Sequence, residues 1–300
     1  PGCDGPPAAA DLHLSEGNRR MIRLEAGSWQ AEILPERGAR VSKLRLKGIP
    51  ILREASCPAD LAADPALYGI PFLFPPNRTA DGKFRFEGIE YSLPINEPLR
   101  HNHIHGLFVD APFTVQKADD CQLCVAIENE GEWFPFPCRV EIFDTISQCG
   151  FRRETKVVNT GSRRMPVEIA FHTTFASGAR VQVPLGLRWE TDLRYLPTGR
   201  MLSLSPLEEQ LLHGIDTRNQ KISGFYTAAG HTALIGDIAY RVSPNFTDWV
   251  LFNGGGQEWI CVEPQSGPVN GLNFPDCPTL APGESVMFWQ EIGVRGDSNQ

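Results

Sequence analysis

"FRRETKVVNTGSRRMPVEIAFHTTF", residues 151–175, is the stretch on which the fold turns. Its two apolar, β-branched runs read as consecutive strands. Asn159-Thr160-Gly161-Ser162 is the turn between them, since these residues favour tight-turn backbone. The preceding "RVEIFDTISQ" (139–148) reads as another strand. Outward from this core the same grammar repeats. "SWQAEILPERGARVSKLRLKG" (28–48) is two strands around a turn at Gly38. "KFRFEGIEYSL" (83–93) is a hairpin closed by Glu87-Gly88. "VLFNGGGQEWICVEP" (250–264) is strand, glycine-rich turn, strand.

Helical signals are few. "LSPLEEQLLHG" (204–214) predicts one short helix with Ser205 as N-cap and Gly214 closing it. "CPADLAADPALYG" (57–69) allows another turn or two. With 28 glycines and 25 prolines in 300 residues, many turns between short elements are expected. The pattern predicts an all-β chain with few short helices, folded as one large antiparallel β-sandwich over residues 21–300. Residues 1–20, rich in Pro, Gly and Ala, read as a flexible leader rather than a signal peptide.

Composition narrows the function classes. A formal net charge of -8 disfavours nucleic acid as a partner, because phosphate backbones need a basic face. No run of eighteen apolar residues suggests a membrane span. Of the eight cysteines, Cys121 and Cys124 form a lone C-x-x-C without the second pair that a zinc site usually needs. Free thiols in a reducing cytoplasm are the expectation.

Four stretches could carry chemistry. In "GIPFLFPPNRTADGKF" (69–84), three prolines impose an extended path ending at Asn77 and Arg78. A fixed guanidinium fork there could bind hydroxyl oxygens; the plainer reading is a solvated surface arginine. In "HNHIHG" (101–106), His101, His103 and His105 alternate, which on a strand puts them on one face. They could bind metal, but residues two apart lie about 6.6–7 Å from each other along a strand, too far for all three to reach one ion easily. Ordinary strand histidines, or a binding or acid–base role beside Gly106, are the other readings. "EIAFHTTF" (168–175) brings His172 to the end of an apolar strand. "WICVEPQSGPVNGLN" (259–273) brings Glu263 to a strand end, where partial desolvation raises a carboxyl toward general-base range. For either residue the alternative is a core histidine or a solvated glutamate.

Taken in order, Asn77-Arg78, "NHIHG" (102–106), "HTTF" (172–175) and "EPQSGP" (263–268) resemble the aldose 1-epimerases, the galactose mutarotase family. The hairpin "RFEGIEYSLPINEP" (85–98) adds to the likeness, which spans about residues 21–295. The resemblance implies a β-sandwich of the galactose mutarotase type with its site on a concave sheet face. It implies that Glu263 is the base and His172 the acid in opening and reclosing a sugar ring. His105, Arg78, Asn77 and Gln265 would bind the sugar. No metal or other cofactor is implied, and the partner is a monosaccharide aldose handled by a monomer or homodimer. Trp189, Trp249 or Trp259 could form an apolar platform for the sugar. The family's usual sugar-binding aspartate has no counterpart: "DTRNQKISGFYT" (216–227) shows Ser223-Gly224 before Phe225, with Asp216 upstream as a candidate substitute. Two rival functions share the fold. One is a non-catalytic or regulatory sugar-binding protein. The other is a hexose-6-phosphate mutarotase, which needs several basic groups near the pocket, and only Arg78 can be placed there.

Overall fold

Period-two burial builds the sheets one strand at a time. In the computed structural model, which describes residues 21–296, strand Trp29–Leu34 buries Trp29, Ala31 and Ile33 while Gln30, Glu32 and Leu34 remain partly or fully open to solvent. It turns through Gly38 and pairs antiparallel with Arg40–Leu46, as the sequence predicts. Ile22–Ala26 and Ile49–Pro50 complete a four-stranded sheet. The proposed leader, residues 1–20, lies outside the described residues.

Two larger antiparallel sheets dominate. One has eight strands in the spatial order Thr114–Ala118, Gln122–Asn129, Cys138–Ser147, Gly150–Asn159, Ser285–Val294, Ile238–Val242, Thr232–Ile235 and Val181–Gln182. The other runs Pro197–Leu202, Leu185–Thr191, Ser223–Ala228, Asp248–Phe252, Ile260–Gln265, Ala170–Phe171 and Phe72–Leu73; Thr174–Phe175 also pairs with Ile260–Gln265. Side chains tie the two sheets together. The Tyr240 ring meets Phe175 and Trp249 edge-on at 5.3 and 6.1 Å, and its hydroxyl donates to Gln290 at 2.6 Å. The result is the predicted β-sandwich.

The hairpin at 83–93 forms from Lys83–Phe86 and Ile89–Ser92. Glu87 and Gly88 both take positive φ, the geometry of a primed two-residue turn. The helix over 204–214 is Pro206–Leu211, capped by Ser205, whose hydroxyl accepts from Glu208 N while the Glu208 carboxylate accepts from Ser205 N. Pro58–Ala63 is the second short helix. Among the described residues no helix is long and apolar enough to cross a membrane.

One expected strand departs from regularity. After Gly150–Asn159 the chain makes only two-residue pieces, Met165–Pro166, Ala170–Phe171 and Thr174–Phe175. Pro166 has no N–H for a ladder. Further on, His172 N and Thr174 N leave the ladder to donate to Pro71 O and Gly69 O. That interruption is where His172 sits.

Candidate active site

Strand Ile260–Gln265 is buried on both faces. Ile260 and Val262 join the main hydrophobic core, and the alternate residues Cys261, Glu263 and Gln265 face the other way. The register of its neighbours then fixes what meets Glu263. Ala170 pairs with Gln265 and Thr174 with Cys261, so His172 lies opposite Glu263. His172 Nε2 stands 3.3 Å from Glu263 Oε1.

The two groups are close enough for an ion pair, yet burial keeps both neutral. Desolvation pushes the Glu263 carboxyl up to about 8, against the opposing pull of the Arg78 charge. Desolvation, helped by Arg40, drops the His172 imidazole to about 3. Between those limits the pair holds a single proton. Glu263 Oε2 and His172 Nδ1 are buried without a hydrogen-bond partner among the described residues. Unpaired buried polar atoms cost roughly 1–3 kcal/mol each, so such atoms call for a functional reason.

His105 completes this centre. Its ring meets that of His172 edge-on with centroids 5.0 Å apart, and its Nδ1 is likewise unpartnered. Burial, then the nearby His172 and Arg78, hold it well below the usual imidazole range. The backbone here is specific: His105 and Gly106 both have positive φ, and His105 N donates to Asn77 O at 2.8 Å. This geometry corrects the expectation of three histidines on one strand face. The strand covers only Asn102–Ile104, and the left-handed residues His101 and His105 flank it. His101 points to Asp81 at the surface, His103 bonds the Pro94 carbonyl in the interior, and only His105 reaches the site.

A cavity of about 580 Å³ opens onto the pair. Asn77, Arg78, His105, His172 and Glu263 all line it. The Arg78 fork is held by Glu97, with Nε to Oε2 and Nη2 to Oε1 both at 2.9 Å. Burial alone would raise the Glu97 carboxyl, but hydrogen bonds from Arg78 and Asn102 outweigh it and lower the value. Arg100, absent from the sequence-based set, also lines the cavity and shares Glu97. Both guanidiniums lie over the Tyr195 ring, at 4.9 and 4.6 Å. Tyr195, Phe225 and Phe252 supply the aromatic surface. None of the three tryptophans named from sequence lines the cavity: Trp249 is core, Trp189 donates to Asp248, and Trp259 packs on Phe252. No local signal marked Tyr195, which arrives from a turn nearly a hundred residues from Arg100; Arg100 itself stands directly before "HNHIHG".

Two expected binding residues lie apart from the cavity wall. Gln265 is fully buried two residues beyond Glu263 on the same strand, and its side-chain amide has no hydrogen-bond partner among the described residues. Asp216 lies elsewhere, on an exposed loop where it is ion-paired to Arg218 at 2.6 Å. The loop is held there because Thr217 N donates to Gly178 O and Asn253 Nδ2 to Thr217 O, and the chain reaches the sheet only at Ser223. Ser223 and Gly224 line the cavity in the place where an aspartate was sought.

A family model described as aldose 1-epimerase matches residues 20–293. Among solved structures, a galactose mutarotase-like protein from Clostridium acetobutylicum is similar at 26% identity, with TM-score 0.86, covering 94% of this chain and 97% of that one. Two more distant structures share the fold. A galactose 1-epimerase from Lactobacillus acidophilus has 16% identity and TM-score 0.76, covering 94% and 96% of the two chains. A GalM/aldose epimerase homologue from C. elegans has 13% identity and TM-score 0.78, covering 91% and 98%.

Proposed function

The chain belongs to the aldose 1-epimerase family, and from that premise we propose that it is a mutarotase interconverting the α and β anomers of an aldose. The observation that carries the reading is the buried, one-proton pair His172–Glu263 on the wall of a sugar-sized cavity. Anomer exchange needs two coupled proton transfers and no net change of protonation, which a pair holding one proton can supply.

Glu263, as carboxylate, takes the proton of the sugar's C1 hydroxyl. His172, as imidazolium, gives its proton to the ring oxygen. The C1–O ring bond breaks to the open aldehyde, the C1–C2 bond rotates, and the ring recloses on the other face as the two residues exchange protons in reverse. At rest the shared proton sits on Glu263; its transfer to His172, 3.3 Å away, produces the reactive state. Arg78, fixed by Glu97, and Asn77 orient hydroxyls, and His105 braces the ring end of the sugar. No step calls for a metal. Seven free cysteines among the described residues accord with a reducing compartment, and we assign the enzyme to the cytoplasm.

A second reading, a hexose-6-phosphate substrate, has one observation in its favour: Arg100 joins Arg78 at the cavity. Their shared Glu97 offsets that charge, so the neutral aldose is preferred.

The test is NMR or polarimetric anomer exchange across neutral aldoses and their 6-phosphates. The expected result is acceleration for at least one neutral aldose. Glu263→Gln and His172→Asn should each lower that rate by about 10²–10⁴-fold with the fold retained by circular dichroism. Exchange at the buffer rate for every sugar would refute the catalytic reading and leave a sugar-binding protein. Faster exchange of the phosphates would select the second substrate class.

A further inference from the structure

Cys261 shares the inward face of its strand with Glu263, and the mechanism above gives it no task. Its thiol is fully buried and hydrogen-bonds with the Thr174 hydroxyl at 3.4 Å. One donor atom each from His172, Cys261 and Glu263 lies within 4.8 Å of the others. Of the same groups, His172 Nδ1 and Glu263 Oε2 are buried and unpartnered. Nitrogen, sulphur and oxygen donors thus come together beside the cavity, which His172 and Glu263 line, with Cys261 buried next to them.

That donor set matches a three-ligand zinc site with its fourth position free. Tetrahedral zinc bond lengths of about 2.0–2.3 Å place ligand atoms roughly 3.3–3.8 Å apart, so the donors need draw in by no more than about 1–1.5 Å. Histidine and thiolate favour zinc-class ions over magnesium or calcium, which prefer oxygen.

We propose that His172, Cys261 and Glu263 form a site for a soft divalent cation of the zinc class, and that its occupation blocks the aldose. Binding releases the Cys261 thiol proton and the proton of the His172–Glu263 pair to solvent; no electrons move. The cation ties up both groups that must exchange protons with the sugar. It therefore acts as a reversible inhibitor. The binding stands on the geometry alone; the inhibition rests on the mutarotase reading.

The probe is Co²⁺ added to the metal-free full chain, followed by Zn²⁺ competition against a chromophoric chelator. The wild type should show a near-ultraviolet thiolate-to-cobalt charge-transfer band that Zn²⁺ abolishes. Cys261→Ser, with Cys261→Ala as a second variant should the first misfold, should lack the band and bind Zn²⁺ at least tenfold more weakly. Zn²⁺ should also slow wild-type anomer exchange, with recovery on adding EDTA, while the variants keep their basal rate and lose the sensitivity. Absence of the band at saturating Co²⁺, or equal Zn²⁺ affinity in wild type and variants, would overturn the site. A cobalt band without anomer exchange on any sugar would leave the site standing and remove the mutarotase reading instead.

Discussion

Glu263 and His172 show how burial, more than residue identity, sets chemistry. In water at neutral pH the carboxyl would be ionised and the imidazole mostly neutral. On the cavity floor the acid's pKa rises to about 8 and the imidazole's falls to about 3, so the pair carries one proton across the range where the enzyme would work. The pH dependence follows with a definite sign. As pH rises through about 8, Glu263 loses that proton, His172 has none to give, and kcat/KM falls up to tenfold per pH unit. As pH falls, no loss is expected near 6.5, because His172 takes a second proton only close to pH 3. A kcat/KM profile between pH 4 and 10 checks this; an acid limb centred near 6.5 would contradict it. His172 was legible in the sequence as the polar end of an apolar run; Glu263, expected at a strand end, stands inside Ile260–Gln265, which continues past Pro264 and buries it fully. Their direction of shift was legible only for the glutamate, since nothing local reveals how completely the fold desolvates the histidine.

At the level of elements, the site is assembled where regular structure stops. The strand Asn102–Ile104 ends in the left-handed pair His105–Gly106, and this turn aims His105 at His172. Gly106 tolerates no side chain: a Cβ there would lie 2.2 Å from Phe74 O, and its φ is +65°. Gly106→Ala is therefore expected to shift the loop and lower kcat/KM by at least tenfold, with a modest drop in Tm. Wild-type kinetics in this variant would show that the loop geometry is not needed. Alternating histidines suggested one shared face, and the element proved too short to impose it. Asp216 fails as a substitute aspartate for a related reason: proximity in sequence to Ser223 does not carry it past the loop that Gly178 and Asn253 hold in place.

Across the whole molecule, the two large sheets must keep register for the site to exist. A buried ion pair within the first of them also anchors the four-stranded sheet. Arg153 donates to both oxygens of Asp144, each at 2.7 Å, and to Ala39 O of the smaller sheet's turn. Both side chains are fully buried. Arg153→Ala would strand the Asp144 charge and free the Ala39 carbonyl, at a cost of about 3–5 kcal/mol. Chemical denaturation should show that loss; a change under 1 kcal/mol would mean that the interior repacks around the carboxyl.

The sequence alone determined the β-sandwich, the two helix positions and the hairpin turns, because period-two burial, Ser205 capping and Glu87-Gly88 are local rules acting within a few residues. It also singled out His172 at the end of an apolar run and Arg78 at the end of a proline-rich one, while His105 was picked from its row of histidines by family resemblance, and Glu263 stands inside its strand, not at the end. Only the tertiary structure decided which of them touch. The pairing of Ala170 with Gln265 and Thr174 with Cys261 puts His172 on Glu263, and folding alone adds Arg100 and Tyr195 to the wall and sets Cys261 beside the pair. Those contacts join residues some ninety positions apart, where register and desolvation govern and no local pattern reaches.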